Sequence, residues 1–103
     1  MVNYKLTDDA REDLCVIKGF SLRQFGSLTT REYLAGMRVT MQHLANMPGM
    51  GTNEVESLGL DIWSFPYMSH TAYYQCVADG ISIIGVVHQS RLPTLLLNRR
   101  IRT

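Results

Sequence analysis

Two periodicities divide this chain. Up to about residue 47 the apolar positions recur at steps of three and four; beyond about residue 58 they gather into short strand-like runs. Ahead of the helical part, Val2, Tyr4 and Leu6 alternate with Asn3 and Lys5, which predicts an opening strand over 2–6. Thr7 is a good N-cap, and Asp8-Asp9 follow where carboxylates complement the helix dipole. Ala10, Leu14, Ile17, Phe20 or Ser21, and Gln24 or Phe25 then mark one helical face as far as Gly26, a natural stop. A second start comes at once. Thr29-Thr30-Arg31-Glu32 reads as a capping box, and Tyr33, Leu34, Met37, Met41, Leu44 and Met47 share the face that follows. Met47-Pro48-Gly49 ends it. The link at 26–29 is short enough to make the two helices, about 8–25 and 30–47, antiparallel.

Residues 48–58 read as the longest loop. Strands are expected near 60–66, 70–77 and 81–88, with Asp79-Gly80 as the hairpin turn between the last two. Pro66 cannot donate to a ladder, so it belongs at a strand end or edge. Tyr73 and Tyr74 are neighbours on one strand and point to opposite faces; one must be core, the other exposed or covered by a partner. Pro93 then opens a short helix over 94–100. The expected fold is α+β. An N-terminal strand leads into an antiparallel helical hairpin, then a three-stranded antiparallel meander and a short C-terminal helix. One face of the sheet packs on the hairpin.

At 103 residues the chain is one domain, 1–103, with 92–103 as a basic tail and room for one modest core. Hydrophobic residues at 46% and charged ones at 18% mark a globular chain, not a disordered one. A net charge of +1 gives the molecule no strong field for nucleic acid. The positive charge is uneven: Arg91, Arg99, Arg100 and Arg102 crowd the end, as a solvated tail or as a patch for an acidic surface or nucleic acid. No run approaches the roughly 20 apolar residues of a membrane span, so no direct membrane contact is expected. The start turns acidic by residue 8, unlike a secretory signal, which points to the cytoplasm.

Candidate chemistry is sparse. Cys15 and Cys76 lack CxxC spacing and read as reduced packing residues. His43, His70 and His88 lack metal-ligand spacing, so neither a metal nor a cofactor is expected. His88 suits a general acid or base, or a strand end held by local hydrogen bonds; His70 reads as structural. Trp63 suits strand core or a binding anchor equally. Met37, Met41, Met47 and Met50, with Leu95, Leu96 and Leu97, exceed what a small domain readily hides, so some of this surface waits for a partner.

Several stretches carry a resemblance over about residues 3–97. They are Tyr4-Lys5-Leu6-Thr7 with Ala10 and Asp13-Leu14; Ile17, Phe20 and Phe25-Gly26; and Leu44-Ala45-Asn46-Met47-Pro48 with Met50-Gly51. Ser64-Phe65-Pro66, Ser69-His70, Tyr73-Tyr74 and the last strand ending at His88 and Arg91 continue the series. In this order they resemble the RelE/ParE superfamily of bacterial toxins, ParE-like branch. The resemblance implies the toxin of a type II toxin–antitoxin pair, a non-enzymatic inhibitor that poisons DNA gyrase and is neutralised by a ParD-like antitoxin. DNA would be met only through the antitoxin or the gyrase complex. His88, Arg91, Arg99 and Arg100 are the candidates for target binding and toxicity; Met37, Met41, Trp63 and Tyr74 are those for antitoxin binding. No catalytic residue is assigned.

The RNA-cleaving, RelE-like branch is the rival, and a toxin fold without toxicity is a third reading. Cleavage needs cations on phosphate and a group that moves protons. Where family members commonly carry Arg, this chain has Trp63, Gln75 and Gly85, and its loop offers Glu54 and Glu56.

Overall fold

Thr7 starts the helical segment as its side chain suggests: Thr7 Oγ1 accepts from the Ala10 backbone N–H at 3.1 Å. In the computed structural model, which describes residues 3–58, 61–91, 93 and 96, helix α1 spans Asp8–Asn46. Straight, its 39 residues would extend about 58 Å at 1.5 Å each, yet the longest dimension of the molecule is 36 Å. The segment is therefore folded on itself. The fold-back is at Gly26 (φ 85°, ψ 177°), the one residue inside α1 with non-helical dihedrals. That combination belongs to a region open almost only to glycine.

The hairpin was expected, but its turn is tighter than the spacing suggested. Residues 27–29 are already helical, and Thr29 does not act as a cap. Thr30 holds the turn instead. Its hydroxyl donates to the Gly26 carbonyl at 2.8 Å, so it accepts from Ser21 across the hairpin at 2.7 Å. Ser21 and Thr30 are both buried, and one hydroxyl pair thus satisfies two polar groups where the arms diverge. At the other end Met47 leaves the helix and Pro48–Met50 make a single 3₁₀ turn.

The five-stranded sheet has the order β1-β5-β4-β3-β2. Strand β1 (Asn3–Leu6) runs parallel to β5 (Gly80–His88), with α1 as the start of the crossover. Strands β3 (Trp63–Tyr67), β4 (His70–Val77) and β5 form the expected antiparallel meander. Gly80 opens β5 where β1 comes closest. A Cβ there would overlap the Asn3 backbone, and φ is +145°, so glycine is required twice over. Two small elements escaped the sequence pattern: β2 (Thr52–Asn53) and α2 (Val55–Leu58) lie in the stretch expected as loop. Each lasts only about one period of its own signal, too short to repeat as a pattern. Asn53 Oδ1 accepts from the Val55 N–H at 2.8 Å and starts α2. Pro66 sits beyond the reach of β2, where β3 has an open edge.

Tyr73 and Tyr74 do point to opposite faces, but both are buried. On the helix side Tyr74 joins Ala10, Met37, Met41, Leu44, Ala45, Ile81, Ile83 and Val86. On the other side Tyr73 packs with Leu58, Ile62, Ile84, Val87 and Leu96. A small second core therefore covers the far face, and every residue of β5 from Gly80 to Val87 is buried. The β4–β5 register carries a bulge: Tyr73 pairs with Gly85, but Tyr74 pairs with Ile83. The additional residue, Ile84, changes the phase of β5, so Val86 faces the hairpin. Of the expected C-terminal helix, residues 94, 95 and 97–100 lie outside the described residues.

Gly26→Ala has open space for its methyl group but the wrong dihedrals. It is expected to lower stability by about 1–3 kcal/mol, read as a lower urea midpoint with unchanged far-UV circular dichroism.

Candidate functional site

The two arms of α1 meet the sheet over only part of their length. Along residues 37–45 Met37, Met41, Leu44 and Ala45 are buried, but in the first arm Val16, Phe20 and Phe25 are 66%, 54% and 64% exposed. Those three side chains form one wall of a cleft of about 1010 Å³ between the hairpin and the ends of β4 and β5. Ile17 and Val86 lie deeper, Met68 stands on the rim, and His70, His88, Ser90 and Arg91 form the polar end. Several large apolar side chains around one opening are what a binding surface looks like before its partner arrives.

The bulge in β5 shapes the polar end. With the strand's phase changed after Ile84, His88 falls on the hairpin side, directly opposite His70 in the register. The imidazoles meet edge to face with centroids 5.2 Å apart. The second arm supplies Tyr33, whose hydroxyl lies 2.6 Å from His70 Nδ1. It also reaches Ser69 Oγ at 3.3 Å and the Tyr67 carbonyl at 3.5 Å. His88 Nδ1 accepts from the Ser90 backbone N–H at 3.1 Å, which assigns the proton of the neutral ring to Nε2. Ser90 Oγ lies 2.7 Å from the same nitrogen. Burial, and then the neighbouring His88, push the His70 pKa below the ordinary histidine value. Asp13 on the first arm closes the cleft floor, its carboxylate accepting the Val86 N–H at 2.9 Å.

The sequence-derived candidates divide sharply. His88 and Arg91 come together: both line the cleft, and the Arg91 N–H donates to the His88 carbonyl at 2.9 Å. Arg99 and Arg100 lie outside the described residues. Met37, Met41 and Tyr74, expected at an antitoxin surface, are 2%, 1% and 0% exposed. They are interior, because the helix stripe that looked like surplus surface is the face that meets the sheet. The Tyr74 hydroxyl is spent inside as well, donating to the Pro48 carbonyl at 2.7 Å. Trp63 is half-buried against the same core. Cys15 and Cys76 are free thiols, but exposed ones, not the packing residues their neighbours suggested.

Sequence reasoning missed Tyr33 and His70 as site residues. Tyr33 was read as part of the core stripe, and the register that joins His70 to His88 depends on the bulge. Phe20 and Phe25 carried a signal, since both occupied ambiguous positions of the first stripe. At the three positions without arginine, Trp63 leans on the helix-side core, Gly85 is a buried neighbour of the bulge, and Gln75 Oε1 is buried without a hydrogen-bond partner. Among the described residues no three His, Cys, Asp or Glu side chains converge as a metal site. No described helix is long and apolar enough to cross a membrane.

A depressed His70 pKa has a signed consequence. Below about pH 6.5 the unfolded chain takes up the proton before the folded one. The stability that the neutral ring contributes is complete above that pH and is lost as pH falls through the folded-state value. His70→Asn keeps an acceptor for Tyr33 without a titrating group. The drop in urea midpoint between pH 7 and pH 5 is expected to be smaller in this variant than in the parent chain.

Comparison with known proteins places this architecture. The family described as "ParE toxin of type II toxin-antitoxin system, parDE" matches residues 4–93. Toxin ParE1 of Caulobacter vibrioides is 31% identical over 90 residues, covering 87% of this chain and 92% of that protein. A chain of the chromosomal ParDE TA system from P. aeruginosa superimposes with a TM-score of 0.72, covering 85% of this chain and 96% of its own, at 14% identity. The last of these shows a shared fold. The family match reaches from β1, through the hairpin and the whole meander, to two residues beyond Arg91, so the strand–hairpin–meander described above, cleft included, belongs to a ParE-family toxin of a type II toxin–antitoxin system.

Proposed function

We propose that this toxin acts without catalysis, by binding DNA gyrase, and that a cognate ParD-like antitoxin neutralises it by filling the cleft between hairpin and sheet. The observation that carries the antitoxin reading is the cleft itself. Val16, Phe20 and Phe25 are exposed around it although the molecule has two cores in which to bury apolar groups. An amphipathic helix laid into such a groove would cover them. Target binding is assigned to His88, Arg91 and the tail residues Arg99 and Arg100, a cationic end suited to an acidic protein surface. Trp63, half-buried on β3, remains a candidate anchor. The setting is the cytoplasm, and DNA is met only through the antitoxin or gyrase complex.

Subtraction supports inhibition over cleavage. Losing one electrostatic contact to a developing charge costs roughly 10²–10³ in rate, and Trp63, Gln75 and Gly85 stand where three cations would be. One observation favours the rival: His70, His88 and Arg91 share the cleft end, and two imidazoles with a guanidinium are a plausible core for proton transfer on a phosphate. Function assays separate the two. Purified protein is expected to inhibit gyrase-catalysed supercoiling and to leave mRNA intact in a reconstituted translation reaction. Site-specific mRNA cuts that disappear in His88→Ala would replace this proposal with the endonuclease.

Two substitutions test the surfaces. Phe20→Ser removes an exposed ring, so the fold should survive while antitoxin affinity falls by about 30-fold, the scale of a hot-spot residue, in a calorimetric titration. Arg91→Ala should weaken gyrase inhibition and leave antitoxin affinity within a few-fold.

A further inference from the structure

We infer that His70, paired with His88 across the strand ends, makes occupancy of the cleft pH-dependent: as a neutral ring it accepts an apolar occupant beside it, and as an imidazolium ion it drives the occupant out. This inference rests on the cleft being the antitoxin's seat only for the identity of the natural occupant. The gate is a property of the chain alone.

The geometry joins the pair to both walls. His70 begins β4 and His88 ends β5, paired across the register. Through Tyr33 the His70 ring is tied to the second arm of α1, so the rings sit where hairpin and sheet part. In the neutral state each Nδ1 has its hydrogen-bond partner within the chain. An occupant that covers them therefore strands no acceptor at those two atoms. Charged rings are different. Covering an imidazolium with an apolar group removes its hydration, and nothing apolar replaces it.

Of the other groups facing the pair, Arg91 adds to the effect, Asp13 opposes it and the two phenols are neutral. From α1 come the Tyr33 phenol, a neutral hydrogen-bond partner, and Asp13, whose carboxylate is bonded to the Val86 N–H across the cleft. From the end of β3 comes Tyr67, its ring 5.1 Å from that of Tyr33 and its hydroxyl donating to the Tyr33 carbonyl. Beyond β5 stands Arg91, a permanent positive charge on the same rim. A protonated His70 would join Arg91 to put two cations at one end of the cleft, with Asp13 as the counter-charge lining the same space. His70 already resists protonation in the empty cleft. An occupant that strips more water from the rings increases that resistance, and by linkage protonation weakens the occupant equally.

The full-length chain can be tested with Nile red, a neutral apolar dye, as the cleft probe. Dye affinity is expected to fall about threefold between pH 7.5 and pH 5.5, as proton uptake by the ring is linked to release of the dye, with far-UV circular dichroism unchanged. Reciprocally, saturating dye should move the His70 titration, followed by NMR at its ring proton, to lower pH. The double variant His70→Asn/His88→Asn retains acceptors for Tyr33 and Ser90, and its dye affinity should be flat over the same range. A flat parent chain, a double variant that keeps the step, or a His70 titration indifferent to dye would each overturn the gate. Antitoxin affinity insensitive to Phe20→Ser, with the dye step intact, would overturn only the antitoxin's seat.

Discussion

Strand β5 carries one residue more than β4 across their shared ladder, and the arrangement of the site depends on where it falls. Tyr73 and Tyr74, adjacent on β4, face Gly85 and Ile83, which are two apart on β5. In a strand of strict period two, the residues beyond that point would point to the other face. The shift turns Val86 toward the hairpin, where its N–H meets the Asp13 carboxylate, and brings His88 onto the face that already holds His70. Ile84 and Val87 meanwhile pack on the far side with Tyr73 and Leu96. One inserted residue thus serves a second core, ties the first arm of α1 to the sheet, and assembles the polar end of the cleft.

The second constraint is the reversal at Gly26. A hairpin that turns on one residue holds its arms close at the tip, with Ser21 and Thr30 sharing a buried hydrogen bond. Its other end rests on the sheet, which buries Met37, Met41 and Leu44. Along the first arm Val16, Phe20 and Phe25 stay more than half exposed. The proposed antitoxin would cover that surface, and binding to the folded form alone would stabilise the toxin by mass action.

The same geometry supports the proposed action without catalysis. His70 and His88 are close, but their Nδ1 atoms are engaged by Tyr33 and Ser90, and Asp13 is directed at a backbone N–H. A general base gains strength from a carboxylate that orients it; here the Asp13 carboxylate lining the cleft accepts the Val86 N–H. The positions across the sheet that would supply cations are filled by groups that pack, Trp63 and Gly85, and by Gln75, whose carbonyl oxygen is buried. Such a site favours recognition, with an apolar bed and one charged rim.

What the sequence determined by itself is the set of elements. Thr7 with Asp8-Asp9, the three-and-four spacing of the Met and Leu positions, Gly26, and the alternation after residue 58 specify strand, hairpin and meander, because capping, amphipathicity and glycine's dihedral freedom are local or one-dimensional properties. The collinear family stretches were legible for the same reason. Whether Met41 and Tyr74 faced a partner or their own core was not, since a stripe shows that a face is apolar and does not show what covers it. The two-residue β2 and the one-turn α2 were invisible because neither lasts long enough to repeat its period. Only the tertiary structure decided that Thr30 holds the turn where Thr29 had been expected, that Phe20 and Phe25 stay exposed, and that Tyr33, His70, His88 and Arg91 stand together. Those outcomes hang on a hairpin angle and a single-residue register shift, and both arise from packing between segments that are far apart in the chain.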